Sequence, residues 1–494
     1  HMLGEGSLMS QTRGCGEAMR GLRAFHLPGV DMLCDKRELN TVLQARSVAH
    51  QFGREGVASE LYGVTGWHFD FAGHKSQGDW QAALGVTVRV PHLSWVSMEG
   101  EAKRDYPASI SYQSPWYPLY SYIENHFARL NTALTRGEPC VRVGVIHPIE
   151  SYWLHWGPTE QTALVRDQLE SNFQSLTEWL LFGSVDFDYI AESLLPELCE
   201  KGGNPFSVGK MKYDVVIVPG CETLRSTTVE RLAAFVDGGG KLIFMGDAPR
   251  YIDASAEAAG PAIELYNDSR VQRITFSRAA LLAALEPYRV IGIRNKNGSI
   301  TDNLVHQLRR DGDDMWLFIC PGKDPENPDI SRRQDVKITI KGLWTAKLYD
   351  TLTGEIHPQA HSHAAGNTVI SAGLYLHDSL LLRLSPAREP VAVRPESPKV
   401  KPAVRAIEVP PAVHYTLGEP NVLLLDMAYY ALDDDDFSAS PEEILRADTV
   451  CRRRLGWTPW SGSADQPWYL PADPPEHRIR LRFSITSDID YPDP

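Results

Sequence analysis

The sequence lacks any apolar run approaching the roughly 20 residues that a membrane helix requires, so no membrane partner is expected. It also lacks a positive balance. Lysine and arginine number 49 against 63 aspartates and glutamates, a formal net charge of −14, which leaves no basic face for nucleic acid. Cysteine is sparse and unpatterned: the seven residues at 15, 34, 140, 199, 221, 320 and 451 show neither paired nor metal-type spacing. Buried thiols in a reducing compartment are the reading this supports, with no metal site and no disulfide framework. The one glycine triplet, Gly238 to Gly240, follows a helical pattern and so stops a helix instead of cradling a phosphate; no cofactor is expected. His1-Met2 reads as a cloning remnant with no signal-peptide pattern after it, and a cytoplasmic location is expected.

What is present is ordinary soluble-protein composition, 43% hydrophobic and 23% charged over 494 residues, enough for about three domains. The stretch Gly56-Val57-Ala58-Ser59-Glu60-Leu61-Tyr62-Gly63 organises the reading. A short apolar run climbs to a carboxylate and breaks at a glycine. A helical pattern, Leu39 to Phe52, precedes it, and the loop Trp67-His68-Phe69-Asp70 follows. A carboxylate at the carboxyl end of a strand, before a loop of Trp, His and Asp, is how a barrel enzyme presents an acid to a sugar. The plainer alternative is a salt bridge from Glu60 to Arg54 or Lys75.

Residues 3–106 alternate strand and helix, which implies parallel strands with crossover helices. The expected elements are a strand at Leu3–Ser10, a helix at Arg13–His26, a strand at Val30–Cys34, the Glu60 strand, a helix near Asp79–Leu84, and a strand at Val86–Val96 that Pro91 interrupts. Residues 107–139 form a connecting segment and a helix. Residues 140–255 read as a flavodoxin-like doubly wound domain, with buried strands at Cys140–Ile146, Tyr213–Val218 and Lys241–Met245. Residues 262–385 read as a β-sandwich, 386–412 as a Pro-rich linker, and 413–494 as a second, incomplete β module with strands at Asn421–Leu425 and Arg478–Phe483. The acidic run Asp433–Asp436 reads as a solvated turn, with calcium as the alternative.

The order of these parts resembles the clan of eight-stranded (β/α) barrel glycoside hydrolases, nearest to the family-42 type of β-galactosidase. The resemblance covers roughly Leu3 to Asp247. Ser59-Glu60-Leu61-Tyr62 matches the place of that family's nucleophile on the seventh strand. His92-Leu93-Ser94-Trp95-Val96-Ser97 matches the eighth strand, whose Trp lines the sugar subsite. Val143-Gly-Val-Ile-His-Pro-Ile-Glu150-Ser151-Tyr152-Trp153 matches the start of its trimerisation domain. The resemblance therefore implies a partial barrel, strands five to eight, in an α/β plus β chain that is a fragment lacking the first half of the barrel.

The implied function is a retaining exo-β-glycosidase, β-galactosidase-like, acting on plant-type oligosaccharides with Glu60 as nucleophile. Its acid/base partner is open, since the family's general acid lies on the fourth strand; Glu5, Glu99 and Glu101 are the replacements on this chain. Asp35, Tyr62, Trp67, His68, Asp70, His92 and Trp95 are the expected sugar-binding residues. Asp35 equally suits a helix cap and Trp95 a barrel-core indole. Two other readings stand beside this one: a carbohydrate-binding or assembly fragment without turnover, and an amidotransferase-like enzyme using Cys221. An open half-barrel cannot leave its apolar faces wet, so a homo-oligomer is expected, a barrel-closing dimer or a trimer.

Overall fold

Short, mostly apolar runs between helices set the first sheet. In the computed structural model it has four parallel strands in the order β1 (Met2–Leu3), β2 (Gly29–Leu33), β3 (Val57–Gly63) and β4 (Val86–Pro91). The structure describes residues 2–3, 6–33, 37–66, 68–96, 110–324, 332–389, 393, 425–457 and 475–486, with single positions at 412, 414, 416, 418 and 423. Two compact units contain them: His1–Ser94 with Tyr106–Glu396, and Trp95–Asp105 with Ser397–Pro494.

Several sequence expectations are corrected in this first sheet. Leu3–Ser10 is not one strand: Ser7 caps helix α1 (Leu8–Gly14) by accepting from the Ser10 amide, so its second half is helical. The Arg13–His26 run is not one helix either. It breaks at Gly16, whose φ of 80° is left-handed, and resumes as α2 (Ala18–Leu22). The last strand ends at Pro91 and not at Val96, because proline removes a ladder donor. Helix α3 (Leu39–Phe52) falls where its pattern placed it. Helix α4 spans Phe71–Ala83 and is far longer than the Asp79–Leu84 segment expected. Its interior is polar: Lys75 and His126 both hold the buried Asp79, at 2.5 and 2.7 Å. Burial pushes that carboxyl up, but Lys75 and the His126 hydrogen bond overcome it and bring its pKa down to about 2. His126 comes from α5 (Ser121–Leu134).

After the two-residue β5 (Glu138–Pro139), a second parallel sheet forms from β6 (Val143–Ile146), β7 (Phe187–Ile190), β10 (Val215–Pro219), β12 (Lys241–Met245) and β14 (Gln272–Ile274). Its order is β14-β12-β10-β6-β7, which puts β7 on an edge. Between these strands lie the hairpin β8 (Phe206–Val208) with β9 (Met211–Tyr213), and the small pair β11 (Thr223–Leu224) with β13 (Tyr251–Ile252). Continuous apolar strands such as Val215–Pro219, buried throughout, are what a sheet covered on both faces requires.

The edge of β7 is closed by α3. Ser47 Oγ accepts from the Tyr189 amide at 2.8 Å, Gln51 Nε2 donates to the Tyr189 carbonyl at 2.7 Å, and Arg46 Nη2 donates to the Phe187 carbonyl. Arg46 and His50 also hold Asp188, which is fully buried and accepts from the Tyr213 hydroxyl. Burial alone would raise the Asp188 pKa; His50, Arg46 and Tyr213 together keep it below the usual carboxylate range.

Two antiparallel sheets follow. One contains β15 (Ile291–Asn295), β18 (Gln334–Lys341), β22 (Asn367–Leu374) and β21 (Ser362–Ala364); the other contains β20 (Ile356–Pro358), β19 (Trp344–Tyr349), β23 (Leu380–Pro386), β17 (Asp314–Pro321), β16 (Leu304–Asp311) and β5. Ile293, Ile338, Leu317 and Leu382 fill one core between them. A larger core runs from Val30 and Val57 through Phe187 and Val215 to Phe318 and Leu381, joining the two parallel sheets to the six-stranded antiparallel one.

The second unit has β24 (Met427–Leu432) flanked by β25 (Glu442–Glu443) and β26 (Ile479–Arg482), with a helix at Ile444–Arg454. Its strand starts after the expected Asn421–Leu425 segment, of which only Leu423 and Leu425 are described, neither in a strand. The acidic run is a turn held by the protein's own donors: Asp433 accepts from His477 and the Arg478 amide, and Asp435 pairs with Arg454. Most of 386–412 lies outside the described residues.

The Asp188 node gives the first prediction. Removing one partner of a buried ion pair costs roughly 3–5 kcal/mol. Asp188→Ala should therefore lower the unfolding free energy measured by urea denaturation by an amount in that range, whereas Arg142→Ala, which breaks a partly exposed pair with Asp214, should change it little. Equal effects of the two would show that the β7 edge does not depend on this node.

Candidate functional site

Glu60 lies in the middle of β3. Strand register aligns it with Asp31 of β2 and Val90 of β4. In-register residues of neighbouring parallel strands share a face, with strands about 4.8 Å apart. The alternate residues Val30, Met32 and Val57 enter the core. The Glu60 face is more open: Asp31 and Glu60 are half-buried, and Val88 and Val90 are 37% and 36% exposed. The salt-bridge alternative for Glu60 fails. Lys75 is held by Asp79, the His377 carbonyl and Ser379, and Arg54 donates to the Arg23 carbonyl. Among the described residues, the Glu60 carboxylate has no hydrogen bond or ion pair.

Tyr62 is not beside Glu60 on the open face. Its φ of 69°, followed by 60° at Val64, turns the strand end out of alternation. The ring is fully buried against His74, its centroid 4.4 Å away, and Arg89 donates to its hydroxyl at 3.1 Å. Burial pushes its pKa up to about 12 although Arg89 opposes this. Asp70 caps α4, accepting from the Gly73 amide at 2.9 Å, and His68 is exposed on the same loop. His92 follows β4; its amide donates to the Leu61 carbonyl at 2.7 Å and so extends the pairing past Pro91. Trp95 belongs to the second compact unit. Glu5, Asp35, Trp67, Glu99 and Glu101 lie outside the described residues.

Asp31 is the residue that sequence reading missed. The signal was there: one acid between Val30 and Met32 in a buried strand breaks the apolar run at the position that pairs with Glu60. Only the register makes it meaningful.

A second group of titratable residues gathers at the carboxyl ends of β6, β7 and β10, where an open parallel sheet ordinarily binds ligands. Here protein groups occupy the place. Glu17 accepts from Ser193 and stands 3.9 Å from His147; Glu150 pairs with Arg225 at 2.6 Å; the Arg225 amide donates to Glu192 at 2.7 Å. Burial, reinforced by Glu150, raises Glu192 to about 8; burial likewise raises Glu17 to about 7 and lowers His147 to about 3. Cys221 is buried at the end of β10, and burial with Glu192 and Glu150 nearby pushes its thiol well up. A nucleophilic thiolate needs the opposite environment.

Among the described residues no helix is long and apolar enough to cross a membrane. No family model matches the chain. In sequence it is 21% identical over 354 residues to a protein of Formosa agariphila provisionally named a β-glucuronidase, covering 68% of this chain and 27% of that one. Similar solved structures are glycoside hydrolases, GH42 β-galactosidases among them. The rhamnosidase of Novosphingobium sp. PP1Y aligns with a TM-score of 0.59 at 17% identity, over 84% of this chain and 38% of its own. A GH42 β-galactosidase from G. stearothermophilus aligns at 0.49 and 11% identity, over 74% and 60%. The rhamnosidase likeness shows a shared fold. The chain spans well under half the length of the rhamnosidase and of the curated relative.

The buried acid group generates a pH prediction. Glu17 and Glu192 bind protons more tightly in the fold than in the unfolded chain, where the ordinary value is 4.5. Their contribution to stability is complete below that value and is lost as pH rises through 7 to 8. His147 acts in the opposite sense, its contribution present above 6.5 and lost as pH falls toward 3. Between pH 6.5 and 8 the loss from the two carboxyls outweighs the remaining titration of His147 in the unfolded chain, so the urea midpoint should fall across that window. Glu192→Gln should flatten the fall; an unchanged slope in that variant would contradict the assignment.

Proposed function

We propose that this chain is a carbohydrate-active module of glycoside hydrolase type, with Glu60 as nucleophile and Asp31 as the carboxyl group that works with it. The observation that carries this reading is the pair Asp31 and Glu60, in register on the open face of a parallel sheet. A retaining glycosidase needs two carboxyl groups about 5–5.5 Å apart, and adjacent strands bring side chains to about that spacing. In this reading β1–β4 are strands five to eight of a (β/α) barrel, the five-stranded domain is flavodoxin-like, and the antiparallel sheets form a sandwich. Glu5, Glu99 and Glu101 then yield to Asp31 as acid/base, and His92 and His68 stand nearest the carboxyl ends of β3 and β4 to meet a sugar. The names of the relatives agree on glycosidic bonds and differ on the sugar, so the substrate class is an oligosaccharide with a β-galactosidase-like exo mode as the first choice.

Nitrophenyl glycosides test this directly. Glu60→Gln should cut turnover by several orders of magnitude, and azide should partly restore Glu60→Ala. Asp31→Asn should slow glycosides with poor leaving groups far more than activated aryl ones, because only the former need a proton donor. Wild-type turnover in Glu60→Gln would end the assignment. If the wild-type chain cleaves none of the panel, the binding or assembly reading replaces it.

That second reading draws on the exposed Val88 and Val90 beside Glu60. A second copy closing this face, four strands to four, suits a sheet whose apolar residues are otherwise wet. Light scattering should give a dimer that Val90→Lys dissociates while leaving the fold intact, since Val90 is on the open face and Val30 and Val57 are in the core. A monodisperse monomer at micromolar concentration would exclude the closing dimer.

A further inference from the structure

The amino ends of β3 and β4 border a cavity of about 710 Å3, lined by the end of α3, the β8–β9 hairpin, β5 and the inner edge of β16. It is not the Glu60 site: Val57, which lines it, precedes Glu60 by three residues, about 10 Å of strand. Its volume lies in the range of small-molecule sites, about 300–1,000 Å3.

Its charge is unlike that of the whole protein. Five cationic side chains line it, Arg46, Arg54, Lys210, Lys212 and Arg309, against two carboxylates, Glu55 and Glu138, on a chain whose net charge is −14. Lys210 and Lys212 are exposed and, among the described residues, have no carboxylate partner. Arg54 spends one nitrogen on the Arg23 carbonyl, and its Nε is buried without an acceptor. Among the described residues Arg309 donates to the Arg136 and Gly137 carbonyls. At the inner wall Arg46 is 1% exposed and is paired with Asp186 at 2.8 Å and Asp188 at 3.6 Å, while its Nη1 is buried without a hydrogen-bond acceptor. Gln307, 3% exposed, brings a buried and unpartnered Oε1 to the same lining.

The backbone is shaped to hold these cations in place. A Cβ on Gly85 would come within 2.8 Å of Arg46 Cδ, and one on Gly53 within 2.9 Å of Lys210 Cγ. Gly53 also has a φ of 65°, so it ends α3 and accepts the lysine stem at once.

We infer that this cavity binds a small molecule carrying an oxyanion, the phosphate or carboxylate group of a sugar-sized body, with Lys210 and Lys212 closing on the anion at the mouth and Arg46 and Gln307 meeting the polar body inside. Lys210 and Lys212, without carboxylate partners among the described residues, attract such a group to the mouth of the concavity, and charge-assisted bonds to it are the stronger kind. The inference does not depend on Glu60 or on glycoside cleavage.

Calorimetry on the full chain at low salt tests it, with inorganic phosphate, glucose 6-phosphate, glucuronate and glucose as probes. Glucose 6-phosphate or glucuronate should bind, glucose should not, and which of the two anions binds tighter identifies the group. Replacing Lys210→Ala and Lys212→Ala together should weaken binding about tenfold or more, since each removes a charge-assisted bond. Lys347→Ala, on β19 and away from the cavity, should leave it unchanged. No heat with any anion, equal binding of glucose, or unchanged affinity in the paired lysine variant would overturn the inference. The lysines are exposed, so their loss leaves the core alone.

Discussion

An edge strand must hide its unpaired amides and carbonyls, and in this chain that need fixes the position of the first sheet. β7 ends the five-stranded sheet, and one helix, α3, covers it with side chains in place of another strand. Ser47 and Gln51 satisfy Tyr189, Arg46 satisfies Phe187, and Arg46 and His50 balance Asp188. A polar helix face is thereby spent inside the protein. The same helix joins β2 to β3, so the strand that carries Glu60 is positioned by the edge of a different sheet. Arg46, in covering that edge, also becomes the inner wall of the cationic cavity.

This arrangement explains what could be read from the sequence. Where burial is purely apolar the pattern is faithful: β12 is Lys241–Met245 as expected, and β3 falls on its predicted stretch. Where burial is polar the pattern misleads. α4 buries His74, Lys75, Gln77, Asp79 and Gln81, residues that periodicity assigns to solvent, so its first two turns passed for loop. Their partners, His126, His377 and Ser379, are far off in sequence, and nothing local announces them. Leu3–Ser10 fails for another reason: a serine cap outweighs a short apolar run.

The site divides along the same line. Glu60 was legible because a carboxylate after a short apolar run is a local feature, although the strand runs on past it to Gly63 and the expected strand-end position does not hold. Asp31 was not, because its meaning lies in a register between two strands. Tyr62 looked like a neighbour of Glu60 because strands alternate, and a left-handed φ at that one residue sends it to the helix side. Backbone conformation of that kind leaves no mark in composition or period.

The carboxylates themselves separate structure from function more sharply than position does. A buried acid has two ways to remain in a fold. It finds cations, as Asp79 and Asp188 do, and its pKa falls; or it keeps its proton, as Glu17 and Glu192 do, and its pKa rises. Both ways use the group up. Glu60 takes neither: it is half-buried, faces the open side of its sheet, and has no protein partner among the described residues. The burden of Glu150 is met by Arg225 and that of Glu222 by His155, so the acid-rich end of the second sheet is closed chemistry despite its many titratable groups. Richness in acids is therefore a poor guide here. An acid that the fold places and leaves without a partner among the described residues is the better one, and Glu60 of the first sheet is such an acid.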